Sequence, residues 1–213
     1  MIKIEKFIFN PFSENTYLVY DEESLDGLII DPGCYSEDEK KLLSDFINKN
    51  CIKIKYLINT HCHIDHVLGN KFIKEKYGPI FLAPEKDMML LDKLSMQSEM
   101  VDLAVDESPK PDKFMDEGME IFLGEEKFNF IETPGHTPGE FCIHYAKDKI
   151  LFSGDVLFQD SIGRTDLWGG SYNKLIYSIK NKLFLLEKET VVLPGHGDST
   201  TIVNEMLNND FLK

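Results

Sequence analysis

Seven side chains in four short segments have the types and order that a metal centre needs. The segments are THCHIDH, PGHTPG, SGD and PGHG. The candidate ligands are His61, His63, Asp65, His66, His136, Asp155 and His196. Imidazole nitrogens and carboxylate oxygens are donors that zinc, iron and manganese all accept in proteins. The set therefore predicts a site for divalent metal ions.

The number of donors indicates two ions, because one zinc ion usually takes about four ligands and a catalytic site leaves one position for water. Two ions about 3.5–4 Å apart can divide the set. One ion would take His61, His63 and His136, and the other would take Asp65, His66 and His196. Asp155 would then bridge them. Zinc is the first expectation for both positions, with iron or manganese as alternatives.

The chemistry of such a centre is hydrolysis by a metal-bound hydroxide, because the metal lowers the pKa of bound water toward neutrality. We expect the hydroxide to attack a carbonyl carbon whose oxygen is polarised by one ion. Asp65 and Asp155 are the candidate catalytic carboxylates, and Asp65 would orient the hydroxide or handle a proton. No serine or cysteine nucleophile is required. Cys62, between two histidines, is a weaker candidate ligand.

The ligand segments follow apolar runs that predict β-strands at 55–59, 127–131, 149–152 and 190–193. A rigid sheet can hold groups on neighbouring loops to the tolerance that metal geometry requires. Residues 61–66 are predicted as a loop and the start of a helix, with Asp65 in its first turn.

The rest of the chain predicts a mixed α/β fold. Further strands are predicted at 2–8, 16–20, 27–30, 79–82, 119–123 and 141–145, and helices at 36–49, 69–77, 85–105, 172–187 and 202–208. The segment 85–115 is rich in methionine, which indicates either adaptable core packing or a pliable wall over a pocket. No linker or internal repeat divides the sequence, so we expect a single domain over residues 1–213.

The composition argues against several classes of protein. The net charge of -14 and the pI of about 4.8 oppose nucleic-acid binding, for which a basic surface is typical. No apolar run reaches the roughly 18 residues of a membrane helix. The N-terminal MIKIEKFIFN lacks the pattern of an export signal, so a cytoplasmic location is expected. The expected substrate is a small molecule. The four cysteines show no CxxC, which favours reduced thiols over disulfides.

The motifs, taken in order, resemble those of the metallo-β-lactamase superfamily. THCHIDH, ETPGHTPG, SGDVLF and LPGHG match its metal motifs, and IIDPG matches its early aspartate–glycine turn. The resemblance covers essentially the whole chain. It implies an α+β fold, a four-layer αββα sandwich, with the metals at the edge between two β-sheets. It also implies that Asp31 lies behind the ligands and helps to fix them.

The stretch GDVLFQDSIGRTDLWGGSY resembles the short bacterial hydrolases related to glyoxalase II. That resemblance implies cleavage of an acyl-glutathione thioester such as lactoylglutathione, whose thiolate leaving group suits zinc. Longer glyoxalase II enzymes carry a C-terminal helical domain that contacts glutathione, whereas this sequence stops at Lys213. Arg164 is the candidate for binding an anionic part of the substrate. The alternative for Arg164 is an ion pair with Asp166 that shapes the loop.

Three other functions stay open at this point. A persulfide dioxygenase of the same superfamily would hold a single iron with His61, His136 and Asp155. A lactone or other ester hydrolase would use the same hydroxide on another acyl group. A non-catalytic metal-binding protein would be expected to lack one or more ligands, and all seven are present.

Overall fold

The computed structural model describes all 213 residues, which form two compact units. The first unit comprises Met1–Ala83, Met88–Phe114 and Phe122–Glu126. The second comprises Pro84–Asp87, Met115–Ile121 and Lys127–Lys213.

The first unit contains a six-stranded sheet whose strands lie side by side in chain order. The strands are β1 Ile2–Phe9, β2 Glu14–Asp21, β3 Asp26–Ile30, β4 Lys53–Ile58, β5 Ile80–Ala83 and β6 Lys113–Phe114. Strands β1 to β3 are antiparallel, and β3 to β6 are parallel. Because parallel neighbours need a crossover connection, helices occupy the connections after β3, β4 and β5. Nearly every residue of β2 and β3 is buried, as expected of strands covered on both faces.

The helices of the first unit are α1 Glu37–Lys49, α2 Ile64–Val67, α3 Asn70–Tyr77, α4 Met88–Leu91 and α5 Leu94–Val101. Helix α1 begins at a capping box, in which the Ser36 hydroxyl accepts from the Glu39 N–H and the Glu39 carboxylate accepts from the Ser36 N–H. Helix α3 ends at Gly78, whose φ of 64° is left-handed and suits a residue without a Cβ. Helix α2 confirms the predicted helix start within 61–66.

The helix predicted at 85–105 is interrupted, so that prediction is wrong in its middle. A 3₁₀ turn precedes α4, and the Lys93 N–H bonds to the Leu90 carbonyl in a three-residue step that breaks the α-helical ladder. Helix α5 then ends at Asp102, whose φ of 53° is left-handed. Aspartate tolerates that conformation better than most residues, which makes it a suitable end point.

The methionines of this segment mostly face solvent rather than the core. Met89, Met96 and Met100 are 40%, 47% and 64% exposed, whereas Met115 is buried. The core-packing interpretation is therefore wrong for three of these side chains. The segment buries Leu90 and Leu94 instead.

The second sheet has the order β14-β13-β10-β9-β8-β7. The remaining elements are β7 Glu120–Leu123, β8 Glu126–Glu132, β9 Phe141–Tyr145, β10 Ile150–Gly154, β11 Leu157–Phe158, β12 Ser161–Ile162, α6 Tyr172–Asn181, β13 Val191–Pro194, β14 Thr200–Thr201 and α7 Ile202–Asn208. Strand β9 is antiparallel to β8 and β10, while β10 and β13 are parallel. Leu175 and Ile179 of α6 share a buried cluster with Leu151 and Val192 of the sheet.

All ten strands predicted from the sequence are present, and the four that were not predicted have two residues each. Such short strands are below the length at which a two-residue period can be recognised. The helix predicted at 172–187 ends at Asn181 and is followed by a 3₁₀ turn at Leu183–Leu185. All four cysteines are free thiols, three buried and Cys51 exposed. None of the helices combines the length and apolar character needed to cross a membrane.

Candidate metal centre

Four of the candidate ligands lie just beyond the carboxyl end of β4. His61 and His63 occupy the loop, and Asp65 and His66 belong to α2. The three histidine side chains are buried, and the ring centroid of His61 lies 4.9 Å from that of His63 and 4.1 Å from that of His66. The end of one strand and one helical turn thus gather three imidazoles.

Asp31, directly after β3, lies behind two of these imidazoles. Its Oδ1 accepts a 2.7 Å bond from the Thr60 N–H, and its Oδ2 accepts a 2.6 Å bond from the Thr60 hydroxyl. The Thr60 hydroxyl has thereby donated its proton, so its 3.0 Å contact with Nδ1 of His61 places the ring proton on Nδ1. Oδ2 of Asp31 also lies 3.1 Å from Nδ1 of His66. Both contacts leave Nε2 as the nitrogen available to a metal ion.

The donor atoms of the first unit are close enough to serve a metal ion. Nε2 of His66 lies 3.7 Å from Oδ2 of Asp65. Two atoms that each lie about 2 Å from one ion are at most about 4 Å apart, so the His66–Asp65 pair fits a shared ion.

The second unit contributes His136, Asp155 and His196. Oδ2 of Asp155 lies 3.6 Å from Nε2 of His136 and 3.7 Å from Nε2 of His196. Both separations are too long for hydrogen bonds and within the span of two ligands on one ion. Nδ1 of His136 donates to the Arg164 carbonyl at 2.7 Å, which leaves Nε2 to face Asp155. The donor set and its spacing therefore fit zinc, iron or manganese.

Neighbouring strand ends bring these three ligands together. Asp155 follows β10 and His196 follows β13, and these parallel strands end at the same edge, where the Gly195 N–H bonds to the Gly154 carbonyl at 2.8 Å. The His136 loop packs closely on α6. A Cβ at Gly135 would lie 2.3 Å from Cα of Leu175, so that position requires glycine.

Two buried carboxylates that the sequence interpretation missed support this second set. Oε1 of Glu140 accepts the Asp155 N–H at 2.7 Å. Asp87 accepts the Thr137 hydroxyl and the Gly139 N–H, each at 2.7 Å, and so fixes the loop that carries His136. An acidic residue directly before a buried strand could have marked Glu140. Asp87 lies outside every motif, and no pattern in the sequence indicates its role.

Glu14 is a third missed carboxylate, in the first unit. Burial raises the pKa of this carboxyl well above its ordinary value, and its Oε2 accepts a 2.8 Å bond from the Thr16 hydroxyl. A Cβ at Gly33 would lie 2.0 Å from Oε2 of Glu14. The same Cβ would lie 2.8 Å from the backbone carbonyl oxygen of Asp65, which cannot move aside as a side-chain end can, so the IIDPG turn has no room for a side chain at this glycine.

Arg164 forms the ion pair that was its alternative interpretation. Nε and Nη2 donate to the two oxygens of Asp166 at 2.7 and 2.8 Å, and both side chains are exposed. The pairing lowers the pKa of Asp166 to about 2. The carbonyl of Arg164 orients His136, while substrate binding by its guanidinium stays a prediction.

The chain matches the model of the metallo-β-lactamase superfamily over residues 9–196 and belongs to that family. It is 37% identical over 213 residues to the hydroxyacylglutathione hydrolase GloC of Haemophilus influenzae, covering 99% of this chain and 98% of that protein. Among solved structures, the BLEG-1 B3 metallo-β-lactamase has a TM-score of 0.89 and 32% identity, with complete coverage of both chains. TTHA1623 in a di-iron-bound form has a TM-score of 0.86 and 33% identity, over 98% of this chain and 100% of that one.

These similarities confirm two predictions from the sequence, the superfamily and its fold of mixed α and β structure with two β-sheets. The chain is a hydrolase of the metallo-β-lactamase superfamily with histidine and aspartate groups suited to divalent metals.

Proposed function

We propose that the chain is a binuclear metal-dependent hydrolase that cleaves a small thioester such as lactoylglutathione. The near full-length similarity to GloC supports the substrate class. The observation that carries the metal chemistry is the position of Asp155, one oxygen of which lies 3.6 and 3.7 Å from the Nε2 atoms of two histidines. A carboxylate between two imidazoles suits a ligand that bridges two ions.

In the proposed centre three histidines would hold one ion, two histidines and an aspartate would hold the other, and Asp155 would serve as a further ligand. The sets are His61, His63 and His136, and Asp65, His66 and His196. When bound, the ions would supply a hydroxide near neutral pH and polarise the carbonyl oxygen of the substrate. Zinc is the expected metal, and iron or manganese accepts the same donors.

The protein's own contribution is to hold these ligands ready. Asp31 fixes the ring of His61 through Thr60 and lies 3.1 Å from Nδ1 of His66, and Glu140 fixes the backbone of Asp155. Ligands oriented in this way bind metal without a further ordering cost. We assign to Asp65 the orientation of the nucleophile or the transfer of its proton.

Substrate binding is proposed to involve Arg164. The protein carries a net charge of -14, so an anionic substrate gains no long-range attraction and needs a local cation. The Arg164 guanidinium is exposed and paired through Nε and Nη2, and a substrate carboxylate would compete with Asp166 for it.

The test is a metal count and a thioester assay on the purified protein. We expect two ions per chain and oxygen-independent cleavage of lactoylglutathione. His136→Ala and Asp155→Ala should lose metal and nearly all turnover, while His144→Ala, which changes a histidine on β9, serves as the control. Full metal content and activity in both site variants would refute the assignment. One iron per chain with oxygen uptake on glutathione persulfide would favour a dioxygenase.

A second candidate activity is β-lactam hydrolysis. It is favoured by the 32% identity to a structure named as a B3 metallo-β-lactamase, with complete coverage of both chains. A chromogenic cephalosporin added to the thioester panel decides between the two, because the better substrate will show the larger kcat/KM.

A further inference from the structure

The polar residue that α5 buries is Gln97, which is 6% exposed and lies in the methionine-rich segment. Its Oε1 accepts the Ile64 N–H at 3.0 Å. Its Nε2 donates to the Leu90 carbonyl at 2.9 Å and reaches the Cys62 carbonyl at 3.4 Å. One amide thus joins α5 to the segment that carries four candidate ligands.

Two of the three partners of Gln97, Ile64 and Cys62, belong to the segment that carries the candidate ligands. Ile64 is the first residue of α2, and such an N–H has no acceptor within its own helix. No side chain caps α2 at His63, so Gln97 supplies the missing acceptor from a distant helix. Cys62 lies between His61 and His63 in the chain, so the orientation of its backbone carbonyl affects the positions of both histidines.

We propose that Gln97 is a positioning residue that holds the segment His61–His66 in its metal-binding conformation. The inference rests on the proposed function, in which these side chains bind metal. Glutamine suits the role because it has both an acceptor for the helix N–H and donors for the two carbonyls. A leucine would remove the acceptor of the Ile64 N–H and the donor to the Leu90 and Cys62 carbonyls, and a carboxylate would lack that donor.

The experiment compares Gln97→Leu and Gln97→Glu with Met96→Leu, a control on the exposed side of the same helix. The first readout is hydrogen exchange of the Ile64 amide in the metal-free protein. Loss of one hydrogen bond should speed it about fivefold in Gln97→Leu. Gln97→Glu keeps the acceptor and should leave Ile64 protected.

The second readout is zinc affinity by chelator competition, together with the absorption spectrum of the cobalt-substituted protein. Residues that orient metal ligands typically affect affinity about tenfold or more, so Gln97→Leu should weaken zinc by about that factor. Both Gln97 variants should shift the cobalt spectrum, and Met96→Leu should not.

Ile64 protection and zinc affinity within about twofold of wild type in Gln97→Leu would overturn the inference. If that variant does not fold, an unshifted cobalt spectrum in Gln97→Glu overturns it. Failure of the wild-type protein to bind zinc or cobalt would instead refute the proposed metal centre, and Ile64 exchange would still report on the Gln97 contact.

Discussion

Replacing Asp31 with asparagine should weaken metal binding while leaving the fold intact. Asp31 has a left-handed φ of 49°, a conformation that asparagine also adopts readily. The amide oxygen of the asparagine can still accept the hydrogen bond from the Thr60 N–H, which Oδ1 of Asp31 accepts at 2.7 Å in the wild-type protein. The amide NH₂ replaces Oδ2, which accepts the Thr60 hydroxyl at 2.6 Å and lies 3.1 Å from Nδ1 of His66.

The expected loss follows from these contacts. A hydrogen bond to a charged group contributes about 1.5–3 kcal/mol, and the bond from the Thr60 hydroxyl is of that kind. That hydroxyl must also turn away from its present acceptor, which disturbs its contact with His61. Residues behind metal ligands typically affect affinity by about 10–100-fold, or roughly 1.4–2.7 kcal/mol. The two ranges overlap, so we expect a loss of affinity within them.

The assay is competition with a chelator of known zinc affinity, alongside thermal unfolding of the metal-free protein. Asp45→Asn is the matched control, because it makes the same chemical change in an exposed ion pair on α1. Zinc affinity within about twofold of wild type in Asp31→Asn would refute the role given to the Asp31–Thr60 contacts.

Three further outcomes are expected. Glu140→Ala should lower the metal content of the protein, because it removes the acceptor of the Asp155 N–H. Glu140→Gln keeps an acceptor and should retain most of the metal. Elemental analysis measures the metal content of both variants. The hydrogen bond from Lys74 is the main cause that lowers the pKa of Asp112. The stability that this carboxylate contributes is therefore present above about pH 4 and is lost as pH falls through the lowered pKa. The melting temperatures of wild type and Asp112→Asn should converge in acid, and a constant gap would contradict this. A thiol reagent should label one cysteine in the native protein, and Cys51→Ser should abolish labelling.

Much of the fold could be predicted because strands of four or more residues show their apolar pattern locally. The exceptions have local causes that pattern alone does not reveal. The helix predicted over 85–105 breaks because the Lys93 N–H bonds three residues back, and the methionines are exposed because α4 and α5 bury Leu90 and Leu94 instead. The two-residue strands exist only as partners of strands elsewhere in the chain.

The sequence by itself determined the types and order of the candidate ligands and the superfamily, because each candidate motif is contiguous and follows its own strand. Only the tertiary structure decided what holds those ligands. The Ile64 N–H meets Gln97 across 33 positions, the Thr137 hydroxyl meets Asp87 across 50, and the Asp155 N–H meets Glu140 across 15. Buried hydrogen-bonding groups must find partners wherever the assembled chain provides them, and no local pattern specifies which distant side chain that will be.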